Sequence, residues 1–187
     1  MNFCLKSIAT AVIVSFSPLI VYAAESESQS AESFQTTCVN TWMNRVNEAK
    51  DKVDYKDFGE KYCECAATQP LDSDEAVNKA IQLCMSQTLL HDTMDSLEEE
   101  IGLSEATEDD ISEYCLDRWN LVYPKLSENG KRATQAYCEC AKPKLMGLIK
   151  EADNMTDKQY ADEINSIAAA CSPQVKSDKA ASNTSEE

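Results

Sequence analysis

The string Tyr-Cys-Glu-Cys-Ala occurs twice, from Tyr62 to Ala66 and from Tyr137 to Ala141, and no other feature of the chain restricts its fold so tightly. Each copy lies in the same larger frame. Upstream stands Cys-x-x-x-Trp, as Cys38 to Trp42 and as Cys115 to Trp119; downstream stands one further cysteine, Cys84 or Cys171. A frame repeated in this way marks two related modules, each carrying four cysteines.

The region around the repeats reads as helix. Glycine is scarce, with four in 187 residues. Apolar residues recur at steps of three and four, the helical period: Phe34, Cys38 and Trp42; Leu90, Met94, Leu97 and Ile101; Ile111, Cys115, Trp119 and Val122; Tyr160, Ile164, Ile167 and Cys171. No segment sustains the alternation of a strand. Start and stop signals divide the chain into about six helices, with caps expected at Ser33, Asp54, Ser73, Thr107, Ser127 and Thr156. Thr156 with Gln159 makes a capping box. The fifth helix has to tolerate or kink at Pro143. The expected fold is all-α: two tandem disulfide-stapled three-helix modules, with the Cys-x-Cys pair on the middle helix of each.

On a helix, residues two apart are separated by about 200° around the axis. Cys63 and Cys65 therefore face different neighbours, as do Cys138 and Cys140. One thiol of each pair can reach the helix before and the other the helix after. Partners across an antiparallel hairpin lie about equally far from its turn. Cys38 and Cys65 are centred between residues 51 and 52, Cys63 and Cys84 between 73 and 74, Cys115 and Cys140 between 127 and 128, and Cys138 and Cys171 between 154 and 155. All these points fall in expected turns. Exchanging the two members of a pair moves each midpoint by one residue only, so the connectivity within each module stays open. Each closure should stabilise by about 2–4 kcal/mol, chiefly through the unfolded chain.

The compartment follows from the first residues. Lys6 precedes an apolar run from Ile8 to Val21, and Val21-Tyr22-Ala23 places small residues where a signal peptidase reads them. Residues 1–23 are expected to be a secretory signal cleaved after Ala23, with a periplasmic or secreted product. The run is shorter than a comfortable membrane span of about 20 residues, so no stable membrane insertion is expected after cleavage. Cys4 leaves with the signal; the remaining eight cysteines, an even count in an oxidising compartment, read as four disulfides.

Residues 24–33 hold no apolar side chain larger than alanine and are expected to be a flexible arm. Residues 34–101 form module A, 102–171 module B, and 172–187 a disordered tail. Removing the signal takes one lysine and no acid, which moves the formal charge from -16 to -17. From Ala80 to Asp117 there are eleven acids and no lysine or arginine, whereas Arg118 to Lys150 holds seven basic residues against Glu128 and Glu139. A chain this acidic is a poor match for nucleic acid, whose phosphates need cations. Solubility is the plain use of such charge; steering of a basic protein partner is the sharper one. Glu98, Glu99, Glu100, Glu105, Glu108, Asp109 and Asp110 are the candidate acidic face.

Candidate chemistry is thin. Eight thiolates could hold two metal sites, but zinc ligands come as Cys-x2-Cys on tight turns, and Cys-x-Cys on a helix splays its sulfurs. A redox Cys-x-x-Cys at a helix start is absent. His91 is the single histidine, read as a surface residue of an acidic helix, and no Gly-x-Ser-x-Gly is present. No catalytic residue, metal or cofactor is therefore expected. Trp42 and Trp119, on the faces of the outer cysteines, are expected to pack on the disulfides, and Tyr62 and Tyr137 to place their rings at the helix interface. The leading expectation is a non-enzymatic exported module that binds another protein, as an acidic inhibitor or immunity-type protein acting on a basic envelope or secreted partner would. A thiol-based redox or metal-handling protein of the envelope is the alternative from another class, and a secreted structural or virulence-type factor a third. The sequence leaves oligomeric state open.

Overall fold

The computed structural model of the protein describes residues 24–173, with side chains from residue 34 onward. The expected signal segment and the tail beyond residue 173 lie outside the described residues. The described residues form six α-helices in order: α1 (Ala24–Met43), α2 (Lys52–Ala67), α3 (Asp74–Glu100), α4 (Glu108–Val122), α5 (Glu128–Glu151) and α6 (Asp157–Cys171), with short 3-10 turns at Val46–Glu48 and Ala152–Asn154. Among the described residues there is no strand. Helix α1 begins at Ala24, so residues 24–33, expected as an arm, carry the helical backbone of α1.

Local chemistry sets the helix starts. Ser73, Thr107, Ser127 and Thr156 cap α3 to α6 by accepting from backbone N–H groups of the first turn. Thr107 with Asp110 and Thr156 with Gln159 form reciprocal capping boxes. Helix α2 is capped by Asp51, which accepts from Val53 N and Asp54 N, rather than by Asp54. Asp54 lies inside the first turn, where a carboxylate still favours the positive end of the helix dipole. Gly102 ends α3: its φ of 88° suits glycine, and its N–H bonds the Leu97 carbonyl at 2.9 Å. Helix α5 continues through Pro143.

The four disulfides are Cys38–Cys63, Cys65–Cys84, Cys115–Cys138 and Cys140–Cys171. The first cysteine of each Cys-x-Cys goes to the preceding helix and the second to the following one. The two modules share this wiring.

Packing does not divide at the module boundary. Helix α3 packs on both α4 and α6, α4 packs on α5, and α5 on α6, so α3–α6 close a four-helix ring. Helix α2 lies against α3, with a smaller contact to α4, and α1 lies against α2. One core runs from Phe58 through Leu89, Leu90, Met94 and Leu97 of α3 to Trp119, Tyr137, Leu145, Ile164 and Cys171. Full burial of a leucine or methionine side chain stabilises by about 1.5–3 kcal/mol, so the α3 stripe alone is a major share of what joins the two cysteine frames. Two buried hydroxyls fasten the ring. Tyr137 Oη donates to the Ser86 carbonyl at 2.8 Å, and Ser86 Oγ donates to the Ala168 carbonyl at 2.9 Å.

Candidate binding face

Trp42 lies on α2. Its ring stacks on Tyr55 at 4.9 Å and Phe58 at 5.6 Å and tilts against Tyr62 at 5.4 Å, and its Nε1 donates to the Tyr55 carbonyl at 2.8 Å. A Cβ on Gly59 would fall on the indole, so this seat requires glycine there. Trp119 stacks with Tyr123 at 5.8 Å and meets Tyr137 edge-on at 5.6 Å. The four aromatic residues of the repeat thus sit at helix interfaces among other rings. Burial holds the hydroxyls of Tyr62 and Tyr137 neutral by raising their pKa values.

An apolar depression of about 550 Å³ opens between α1, α2 and the start of α3. Phe34, Trp42, Tyr62, Leu71, Val77 and Ile81 shape it. A second, of about 420 Å³, lies between α3, the end of α4, the start of α5 and the end of α6, and Ile81 lines both. Leu71 and Ile81 are 36% and 40% exposed, two of the three large apolar side chains left open to solvent among the described residues. Val53 is the third, alone on α2. Exposed apolar side chains gathered in a concavity mark an interaction site more often than scattered ones do. None of Phe34, Leu71, Val77 and Ile81 was singled out from the sequence as a binding residue. Their signal lies in the repeat. Aligned on the cysteines, Phe34, Val77 and Ile81 match Ile111, Ile164 and Ala168, which are all buried.

The charged residues divide into an internal network and an edge. Arg118 Nη1 reaches Asp54 at 3.1 Å and Asp92 at 3.3 Å, while Lys61 Nζ reaches Asp92 at 3.2 Å and Asp95 at 2.9 Å. This network ties α2, α3 and α4 together, and its carboxylates are spent on their own cations. The seven acids expected as a partner face gather where α3 turns into α4. Glu98, Glu99, Glu100, Glu105, Glu108 and Asp109 are exposed, while Asp110 is half-buried. Two of the seven have internal work: Glu100 accepts from Tyr114 Oη at 2.8 Å, and Asp110 accepts from the Thr107 N–H at 2.8 Å. The bond from the Thr107 hydroxyl, with that N–H bond beside it, holds the Asp110 carboxyl below its usual range. His91 is half-buried rather than at the surface, with Nε2 3.1 Å from Asn165 Oδ1 of α6.

All eight cysteines of the described residues are in disulfides, which leaves no thiolate among them for exchange or metal binding in this state. No helix of the described residues is long and apolar enough to cross a membrane. The four disulfides fit an oxidising compartment. Comparison with protein-family models, with curated proteins and with solved structures finds no match to the chain.

Proposed function

We propose that this chain is an exported, non-enzymatic module that binds another protein through the apolar face around Ile81. The observation that carries the reading is the open groove itself. Trp42, Tyr62, Leu71 and Ile81 line a concavity that none of the described residues covers, on helices that are cross-linked to one another. Cross-linking matters because a pre-ordered face loses little conformational freedom on binding, so more of the contact energy appears as affinity. The charge of the chain selects the partner. At -16 overall it attracts a basic protein and repels acidic ones, which steers encounter more than it adds affinity. An inhibitor or immunity-type role against a basic envelope or secreted protein follows from that pairing. The acidic α3–α4 edge then acts at long range, and the groove makes the close contact.

The test is site-directed photo-crosslinking in the native envelope. A photoreactive side chain at residue 81 should give a discrete covalent adduct with a basic protein. The same group at exposed Glu105, on the acidic edge, should give weaker adducts that disappear at high salt. A chain that yields no adduct at either position would overturn the binding reading.

A further inference from the structure

In module B, the face that corresponds to the open groove is already occupied. Aligned on the cysteines, Phe34, Cys38, Trp42, Tyr62, Val77 and Ile81 of module A match Ile111, Cys115, Trp119, Tyr137, Ile164 and Ala168 of module B. The module B residues are all buried, at 8% exposure or less. Their module A counterparts are all half-buried or exposed. Both sets are apolar or aromatic throughout, so what differs is the cover. In module B the cover is α3, which lies between α4 and α6 and closes the ring. It touches the matching positions directly: Ser86 of α3 bonds Ala168 and Tyr137, the counterparts of Ile81 and Tyr62. Among the described residues, module A has no helix in that place, and the space is the 550 Å³ groove.

We infer that the groove takes one amphipathic α-helix from another protein, seated as α3 is seated on module B. The inference rests on the protein-binding reading above and specifies the occupant. Its chemistry can be read from α3. The buried stripe of α3 is Met85, Ser86, Leu89, Leu90, Thr93, Met94 and Leu97. The occupant should therefore carry Leu- or Met-type side chains at four-residue steps, flanked by small hydroxyls, over about 13 residues, or about 20 Å of helix. Its direction follows too. Asp92 pairs with Arg118 and Glu100 with Tyr114, so α3 runs antiparallel to α4. The occupant runs antiparallel to α1 and ends beside Phe34 and Leu71. Exposed Asp72, Asp74 and Glu75 stand at that end, so the last turn of the occupant should be basic, where the helix dipole also favours cations.

Other occupants fit less well. A second copy would have to offer an apolar helix stripe, but two of the three exposed large apolar residues among the described residues line the groove itself. The segment after residue 173 has Val175 as its one apolar residue larger than alanine. Residues 1–23 are apolar but belong to the segment read as cleaved.

The probe is a synthetic peptide of residues 83–100 with Cys84→Ser and with Glu98, Glu99 and Glu100 each replaced by Lys, fluorescently labelled and titrated with the disulfide-bonded chain beginning at Ala24. Saturable binding is expected, at least tenfold tighter than for a scrambled peptide of the same composition and than for the peptide that keeps its three glutamates. Ile81→Asp and Leu71→Asp, both at exposed positions and each checked for an unchanged melting curve, should each weaken binding at least tenfold. Equal binding of the scrambled peptide, or binding unmoved by both substitutions, would overturn the helix assignment. So would a chain that is dimeric or that retains residues 1–23 with the groove closed. If the peptide fails while residue 81 still crosslinks a protein, the module binds through this face but its occupant is not such a helix. If both fail, the binding reading goes as well.

Discussion

Trp42 and Trp119 hold the same place in the two cysteine frames, yet Trp119 is 4% exposed and Trp42 is only half-buried. The middle helix accounts for part of this. Gly59 lets Trp42 lie flat on α2, whereas the matching position on α5 is Thr134 and Trp119 turns edge-on to Tyr137. Gly59→Ala is therefore a sharp test. Helix propensity alone would favour alanine by about 1 kcal/mol. Displacing the indole should cost more, about 1–3 kcal/mol for an overpacked site. A net loss of about 1 kcal/mol or more in urea denaturation is expected, with a red shift of the tryptophan emission. Gly147→Ala, where a new Cβ meets nothing within 4 Å, should instead gain up to about 1 kcal/mol.

The outer position of α1 makes its disulfide separable from the ring. Cys38–Cys63 closes a separation of 25 residues, worth about 3.5 kcal/mol by loop closure. Replacing both cysteines by serine should free α1, whose main packing partner is α2, and leave α3–α6 closed. Amide exchange should show protection lost over residues 36–43 by two to three orders of magnitude and little changed in α4–α6. The same substitution at Cys140 and Cys171 should instead lower protection across the ring, because that bond joins two of its members.

Much of this architecture is legible in the sequence, and the gaps have physical reasons. The cysteine spacings around the turns give the antiparallel pairing, and the apolar period gives the helices. Which thiol goes back and which goes forward depends on how the middle helix is rotated, and a one-residue exchange leaves the midpoints in the same turns. The cap of α2 falls on Asp51 and not on the expected Asp54 for a local reason: the two acids are one turn apart, and only the extended backbone at Asp51 decides between them. The stripe of α3 is visible, but its bond through Ser86 to Ala168, 82 residues away, is not a local property. The groove is hidden because it is an absence of cover, and composition does not record what fails to pack.

Asp92 accepts from two cations on two helices and is 9% exposed. Replacing it by asparagine leaves Arg118, whose side chain is 16% exposed, with Asp54 alone. Losing one partner of a buried pair costs about 3–5 kcal/mol. Lys61 is half-open to water, which reduces its share, so a loss of about 2 kcal/mol is expected. Denaturation at low and high salt checks the cause: the difference between Asp92→Asn and the parent should shrink only slightly in salt, because the enclosed Asp92–Arg118 pair is weakly screened. Asp57→Asn, an exposed acid on α2, should be neutral.

Alkali should loosen the protein through its tyrosines before it touches the disulfide frame. The hydroxyl of Tyr160 is buried without a hydrogen-bond partner, and burial, with Glu98 and Asp95 adding negative charge nearby, pushes its pKa up to about 12. Tyr137 is raised further by deeper burial. Folding therefore holds both in the neutral form, whereas the unfolded chain releases these protons near pH 10. A raised folded-state pKa means the stabilisation is complete below pH 10 and is lost as pH rises through 12. Lys61, whose burial alone would lower its pKa, is held above the ordinary value by Asp95 and Asp92 and lets go of its ion pairs in the same window. Melting temperature measured from pH 8 to pH 12 should stay flat to about pH 10 and then fall. Tyr160→Phe separates the tyrosine from the lysine. It removes an unpartnered buried hydroxyl, so it should leave stability at pH 7 unchanged or slightly higher, and it should make the fall above pH 10 shallower. A variant whose alkaline slope matches the parent would place the transition on Tyr137 and Lys61 instead.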